Sequence, residues 1–457
     1  MLKLFIKIYM EEYMDLLIGI LGVIITLSLT IYKGYFIGYA LILCLLIFIV
    51  IGMNRGYSLK DLLWMAFKGG SKSFVVLKIF FLIGVITSIW ISSGTVPGIV
   101  CYGMKYMNLD FFILYVFLIT CLVSFLLGTS LGTVSTVGIA FIVMAKGGGV
   151  NSDIAAGAII SGAYFGDRIS PMSSSANLVA TLTKTELYGN IKNMFRTGNI
   201  AFVSCMIIYG VLSYYNPLDL VKSELVPQIY KSFEISPIVL IPTIIILIFS
   251  IFKIDVKISM AVSIVIAFFL SIFTQGYTPI EIFHFVITGF HLDKGDPLYN
   301  IIKGGGILAM GKAGLVVFIS CAMTGIFEGT AMLNSIEKVL EKARSRTKIF
   351  IYTNIVSFFT AAIGSNQSIS VVLTSQLMEK VYKKGGINKE DFAIDLENTS
   401  IVLAPLIPWN IAALIPTTTM MVSPYGYIPY AYFLFLIPLL NLLTLKKKKY
   451  KIVTLSK

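Results

Sequence analysis

Apolar positions in this chain fall in runs too long for strands and too unbroken for the faces of soluble helices. LLIGILGVIITLSLTIY (Leu16–Tyr32) and PIVLIPTIIILIFSIF (Pro237–Phe252) contain no charged residue. A bilayer core about 30 Å thick takes roughly 20 such residues as helix, and a lone helix crosses lipid because it satisfies its own backbone. The pattern predicts spans near residues 14–32, 36–53, 74–93, 111–128, 133–165 (broken), 197–215, 236–253, 257–274, 312–332, 348–364, 368–405 (broken) and 428–445. The expected fold is an all-α polytopic membrane protein of about 10–13 transmembrane helices, some of them broken or re-entrant. Two shorter segments, Leu59–Phe67 and Pro279–Val286, mix charges with large apolar side chains and read as helices lying in the membrane interface.

The pattern also repeats. GYSLKDLLWMAF from Gly56 resembles GYTPIEIFHFV from Gly276, and SSGTVPG around Gly94 faces FEGTAML around Gly329. Gly128-Thr129-Ser130 corresponds to Gly364-Ser365-Asn366, and AKGGGVNSDIA (Ala145–Ala155) to KKGGINKEDFA (Lys383–Ala393). Finally SPMSSSAN (Ser170–Asn177) aligns with APLIPWN (Ala404–Asn410). These matches keep one order and divide the chain into two copies, residues 1–225 and 226–457. Positive charge precedes the span at 74–93 (Arg55, Lys60, Lys68, Lys72) but follows its counterpart in the second copy (Lys338, Lys342, Arg344, Arg346, Lys348). By the positive-inside tendency the copies have inverted topology, and Lys446–Lys449 place the C-terminus in the cytoplasm. Inverted repeats with a midplane site are a plan of secondary transporters.

Composition narrows this further. The chain is 57% hydrophobic and 13% charged, against about a quarter charged in soluble domains. Its net charge of +13 belongs to loops and is no signal for nucleic acid. The five cysteines are scattered, so neither a disulfide framework nor a metal site is expected. GKAGLVVF around Gly311 lacks the GxxxxGK[ST] pattern of an ATPase, so no enzyme is expected and transport would draw on an ion gradient. The N-terminal MLKLFIKIYMEEYMD has acidic residues and no small-residue cleavage site, and reads as retained.

The polar breaks carry the candidate chemistry. In GAYFGDRISPMSSSAN (Gly162–Asn177), Pro171 forbids a continuous helix and Gly162 and Gly166 are expected to loosen the turn before it. Unwound backbone at membrane depth is tolerated where protein or water covers it. Ser173, Ser174 and Asn177 would offer neutral oxygens there beside Asp167. A carboxylate at a helix centre costs roughly 2.5–3.5 kcal/mol on insertion, which marks a pathway role. The second break holds Trp409 and Asn410, preceded by Glu397 and Asn398. Thr129 and Ser130 at one tip and Ser365, Asn366 and Gln367 at the other complete the ion- or substrate-binding set. Glycines at these tips fit tight helix packing equally well. Asp167, Glu328 and Glu397 are the proton-carrier candidates, whereas His284 and His291 are expected to ligate nothing.

ISSGTVPG, GTSLGTVSTVG, AGAIISGAYFGDRISPMS and LENTSIVLAPLIPWN resemble signature stretches of the NhaC-type sodium/proton antiporter family, and the likeness runs from about Gly84 to Leu440. The resemblance implies exchange of cations for protons by alternating access, with some members moving amino acids or organic acids. Three positions depart from the family pattern. Ser174 stands in the usual SPLSDTTN, Asn366 in the usual SDQ and Asn398 in the usual LED, each where an aspartate is expected. Fewer acids mean a weaker pull on bare Na⁺, so an amino acid or small carboxylate competes with it as the substrate. The partners expected are a small inorganic cation and/or a small organic solute, the lipid bilayer and a second copy in a homodimer. No cofactor is expected beyond the coupling ions H⁺ and Na⁺, in a multi-pass protein of the cytoplasmic (inner) membrane.

Overall fold

The computed structural model describes residues 32–447 except 219–223, 331, 333–339, 341, 342 and 344, together with scattered positions between 15 and 30. The expected span at 14–32 is thus only partly described, and Lys338, Lys342, Arg344, Lys448 and Lys449 lie outside the described residues. Among the described residues seven helices are long and apolar enough to cross a bilayer, and the count reaches ten if each bent pair is one span. The only sheet among them is one short antiparallel pairing, Phe290–His291 with Lys303–Gly304.

The two spans expected as broken single crossings are each two helices. The stretch 133–165 is two helices, Ser130–Gly147 and Ser152–Ile169, and 368–405 is likewise Gln367–Lys384 followed by Lys389–Leu406. Both junctions use the same device. A glycine with positive φ (Gly149 at 75°, Gly386 at 65°) turns the chain, and an asparagine then caps the next helix. The Asn151 side chain accepts from the Asp153 N–H, and Asn388 from that of Asp391. An unbroken apolar run cannot distinguish one bent helix from two helices joined by such a turn. Sharp bends occur between Leu77–Ser92 and Thr95–Tyr106 (64°) and between Leu225–Ser232 and Pro237–Ile251 (98°), and the bend between Lys389–Leu406 and Ile411–Met420 (46°) falls at the expected break at Trp409 and Asn410.

Gly162 and Gly166 have a different role from the one expected. The helix continues regularly through them to Ile169, and both press against Phe112–Leu127. A Cβ on Gly162 would stand 2.6 Å from the Phe117 carbonyl oxygen, and one on Gly166 2.3 Å from that of Cys121. The missing side chains allow two backbones to touch, as small residues do in membrane helix pairs. Gly69 and Gly325 do the same for Leu59–Ser71 against Ile307–Gly329. Leu59–Ser71 leaves Leu59, Leu63, Trp64 and Phe67 exposed on its other face, the amphipathic character of an interfacial helix.

Candidate functional site

The site is built where helices are interrupted. Phe112–Leu127 ends in left-handed Gly128 (φ 63°), and extended Thr129 caps the helix that starts at Ser130. Ser152–Ile169 ends just before Pro171, and the Ser173 hydroxyl accepts from the Ala176 N–H at 3.2 Å to start Ser174–Thr183. The two interruptions touch, since a Cβ on Gly128 would lie 2.6 Å from the Cβ of Met172. Asp167 sits at this junction, 5% exposed. Ser130, through backbone and hydroxyl, and the Ser173 hydroxyl face its carboxylate, yet its Oδ1 has no hydrogen-bond partner. One turn earlier, the Tyr164 hydroxyl donates to the Ala412 carbonyl at 3.1 Å, joining this junction to the second break.

The second junction is knitted more tightly. Ser365 adopts the left-handed conformation (φ 47°) without being glycine, and Asn366 caps Gln367–Lys384. The Ser365 carbonyl accepts from the Ile411 N–H at 2.8 Å. Asn410 donates to the Ala361 carbonyl at 2.8 Å, Trp409 Nε1 to that of Ala362 at 2.7 Å, and Gln367 to that of Ile401 at 3.3 Å. The Ile401 carbonyl lacks its i+4 donor because Pro405 has no N–H, whereas that of Ala361 already accepts from the Ser365 N–H and takes Asn410 in addition.

Between the junctions lies a buried charge cluster. Arg168, Glu397 and Asn398 are fully buried. Arg168 Nη2 donates to Asn398 Oδ1 and, at 3.3 Å, to Thr197 Oγ1. Neither oxygen of Glu397 has a hydrogen-bond partner, and the charges acting on it are those of Arg168 and Asp167. Two ionised carboxylates and one guanidinium leave one negative charge uncompensated, and isolated buried charge is expensive enough that a proton or cation is drawn in.

The remaining predicted residues lie elsewhere or face outward. Ser174 and Asn177 are exposed, and Thr129 and Asn366 are half-buried. Glu328 stands apart from the cluster at the end of Ile307–Gly329, 2.5 Å from Lys72 Nζ, with both side chains well exposed. Replacing Glu328 with glutamine is therefore expected to leave exchange within about twofold of wild type and to cost less than about 1 kcal/mol of stability; flux and thermal-melting assays check both. No group of three or more His, Cys, Asp or Glu converges as a metal centre would among the described residues. Sequence reasoning missed one ionic group altogether, the buried pair of Arg346 and Asp395, 2.5 Å apart. The only signal for it was a third acid, Asp395, next to Glu397 in DFAIDLENTS.

Comparison with known proteins fixes the family. The Na⁺/H⁺ antiporter family profile matches residues 162–445, which include both breaks and the charge cluster. The chain belongs to this family. It is 28% identical to a malate-2H⁺/Na⁺-lactate antiporter of Bacillus subtilis over 84% of each chain. It is 26% identical to the Na⁺/H⁺ antiporter NhaC of Alkalihalophilus pseudofirmus over 88% of each. The arginine/ornithine antiporter ArcD of Halobacterium salinarum is 25% identical over 84% of this chain and 81% of its own. As a family member the chain is a multi-pass membrane transporter, and its relatives differ in what they carry.

Proposed function

We propose that this NhaC-family chain exchanges protons for a small cation by alternating access, with Asp167 and Glu397 binding either one. The observation that carries this reading is a pair of buried carboxylates with unpartnered oxygens sharing a single guanidinium. Protonation of one acid neutralises the cluster, and a monovalent cation at the same place does so equally. The two states are therefore alternatives, and that competition is the coupling. Ser130 and Ser173 supply neutral oxygens around Asp167. Asn398, being neutral, satisfies a guanidinium N–H without cancelling the Arg168 charge, which is left to balance the acids.

An inverted repeat of residues 1–225 and 226–457 gives this site a frame. Gly128 and Ser365, Thr129 and Asn366, Asn151 and Asn388, Ser173 and Asn410, and Lys184 and Met421 form pairs at one constant offset. The first and last pairs are left-handed helix ends, and the other three are helix caps. The Lys72–Glu328 contact joins the start of Phe74–Ser92 to the end of its counterpart Ile307–Gly329, as antiparallel copies require. The reading places the Lys72 end and the C-terminus on the cytoplasmic side of the inner membrane.

A second reading, an amino acid or small organic acid as substrate, is favoured by one observation. The same cluster holds buried donors without partners, Arg168 Nε and Nη1 and Asn398 Nδ2, which a bare cation cannot use and a carboxylate group can. Proteoliposomes with a trapped pH indicator and an imposed proton gradient separate the two. Sodium, lithium and potassium are added in turn, then amino acids and carboxylates. Dissipation by a cation alone is expected; a response to an organic solute only selects the second reading, and no response to any solute overturns both.

A further inference from the structure

Asp395 lies outside the cluster just described, although it precedes Glu397 by only two residues in the helix Lys389–Asn398. Three other helices hold it. Arg346, the first residue of Arg346–Gly364, brings Nη1 to 2.5 Å from Asp395 Oδ2, the two side chains being 6% and 1% exposed. From Gln367–Lys384, the Tyr382 hydroxyl donates to Asp395 Oδ2 at 2.6 Å and also shares a hydrogen bond with Thr353 Oγ1 at 2.9 Å. From Tyr432–Lys447, Asn441 Nδ2 reaches Asp395 Oδ1 at 3.5 Å. The Tyr382 ring stands 5.9 Å from the Arg346 guanidinium and packs on Phe392 with ring centres 4.4 Å apart.

The helix is thus clamped at two points. Asp395 and Asn398, three residues apart, lie on neighbouring positions of one helix face. Arg346 grips the first and Arg168 the second. Glu397 stands between them, bonded to neither. We propose that Arg346, Asp395 and Tyr382 form a positioning cluster that places Glu397 and sets the pH range over which the protein exchanges. The inference rests on Glu397 carrying the proton.

The electrostatics follow from which charges are cancelled. Asp167 and Arg168 act on Glu397 from Ser152–Ile169, while Arg346 on Arg346–Gly364 and Tyr382 on Gln367–Lys384 act directly on Asp395. Asp391 and Asp395 share the helix of Glu397. Ser174–Thr183 carries no ionisable side chain, Lys192 and Arg196 on Leu187–Tyr215 are exposed, and Tyr432–Lys447 contributes the neutral Asn441. While Arg346 and Asp395 are paired, their fields at Glu397 largely cancel. Removing the carboxylate exposes the charge of Arg346. A unit charge about 8–10 Å away, at an effective dielectric near 20, moves a titration by about one pH unit. Arginine stays charged in any environment, so in Asp395→Asn its field persists and favours ionised Glu397. In Arg346→Gln, by contrast, buried Asp395 loses its counter-charge, is left with only the neutral Tyr382 and Asn441, and takes up a proton, so no field is left at Glu397.

The test is the pH profile of exchange in proteoliposomes, driven by sodium or by whichever solute of the earlier series gives the largest flux. Asp395→Asn is expected to move the profile about one pH unit lower, and Arg346→Gln to leave it near the wild-type position. The double variant should return the profile to the wild-type position, because a buried pair replaced by two neutral groups is usually tolerated. If Asp395→Asn fails to fold, Asp395→Ser, which likewise leaves Arg346 without its partner carboxylate, reads the same shift. Lower rates with unmoved profiles would reduce the cluster to a packing feature and overturn the proposal. Glu397→Gln keeps the outcomes separate. Exchange that survives it removes the role given to Glu397, whereas exchange lost in it, with unmoved profiles in the other variants, removes only the positioning cluster.

Discussion

Asp167→Asn is expected to reduce exchange to the level of empty liposomes while the protein still inserts and folds. The substitution preserves shape and removes only the ability to carry a proton or hold a cation. Asp167 is 5% exposed and one of its oxygens has no partner. Replacing a buried carboxylate with an unpartnered oxygen by an uncharged amide therefore costs little stability, because no charge is left to desolvate. The check is flux in proteoliposomes alongside a thermal melt of the detergent-solubilised protein. Preserved flux would remove Asp167 from the mechanism, and lost folding would make its role structural.

The second large effect concerns packing. Gly166→Ala is expected to destabilise the protein by about 2–3 kcal/mol, because the added methyl group meets backbone that cannot give way. Its Cβ would stand 2.3 Å from the Cys121 carbonyl oxygen and 2.6 Å from the Phe125 nitrogen. The helix Ser152–Ile169 that carries Asp167 would have to move away from Phe112–Leu127, so flux should fall together with the melting temperature. Gly311→Ala is the control. Nothing lies within 4 Å of a Cβ at that helical position, and alanine there should add up to about 1 kcal/mol. Equal melting temperatures for the two variants would contradict the packing account.

These two residues show what the chain discloses before folding and what it does not. The transmembrane class follows from apolar runs alone, since nothing but lipid explains Pro237–Phe252. Asp167 is legible as a lone acid in a largely apolar stretch, and Glu397 as the acid just ahead of the second polar break. The role of Gly166 is not, because a glycine that loosens a helix and one that lets helices touch look the same in sequence. The register of the proposed repeat is blurred for a related reason. Aligning glycine with glycine pairs Gly128 with Gly364, whereas the left-handed residue that would match Gly128 in that repeat is Ser365, a residue that seldom adopts this conformation. Arg346 and Asp395 meet only through tertiary packing, so no local spacing announces them. Glu328 reads as intramembrane by its neighbours, yet Lys72 from a distant helix meets it at the helix end.

The central claim is that a proton and the transported solute compete for one buried pair of carboxylates. Proton release measures this most directly. Sodium, and then each organic solute, is added to purified protein in weakly buffered detergent solution with a pH indicator. The account predicts that wild-type protein releases protons when its substrate is added and that Asp167→Asn releases none. Release that is undiminished in both Asp167→Asn and Glu397→Gln would place the competing site elsewhere and contradict the account.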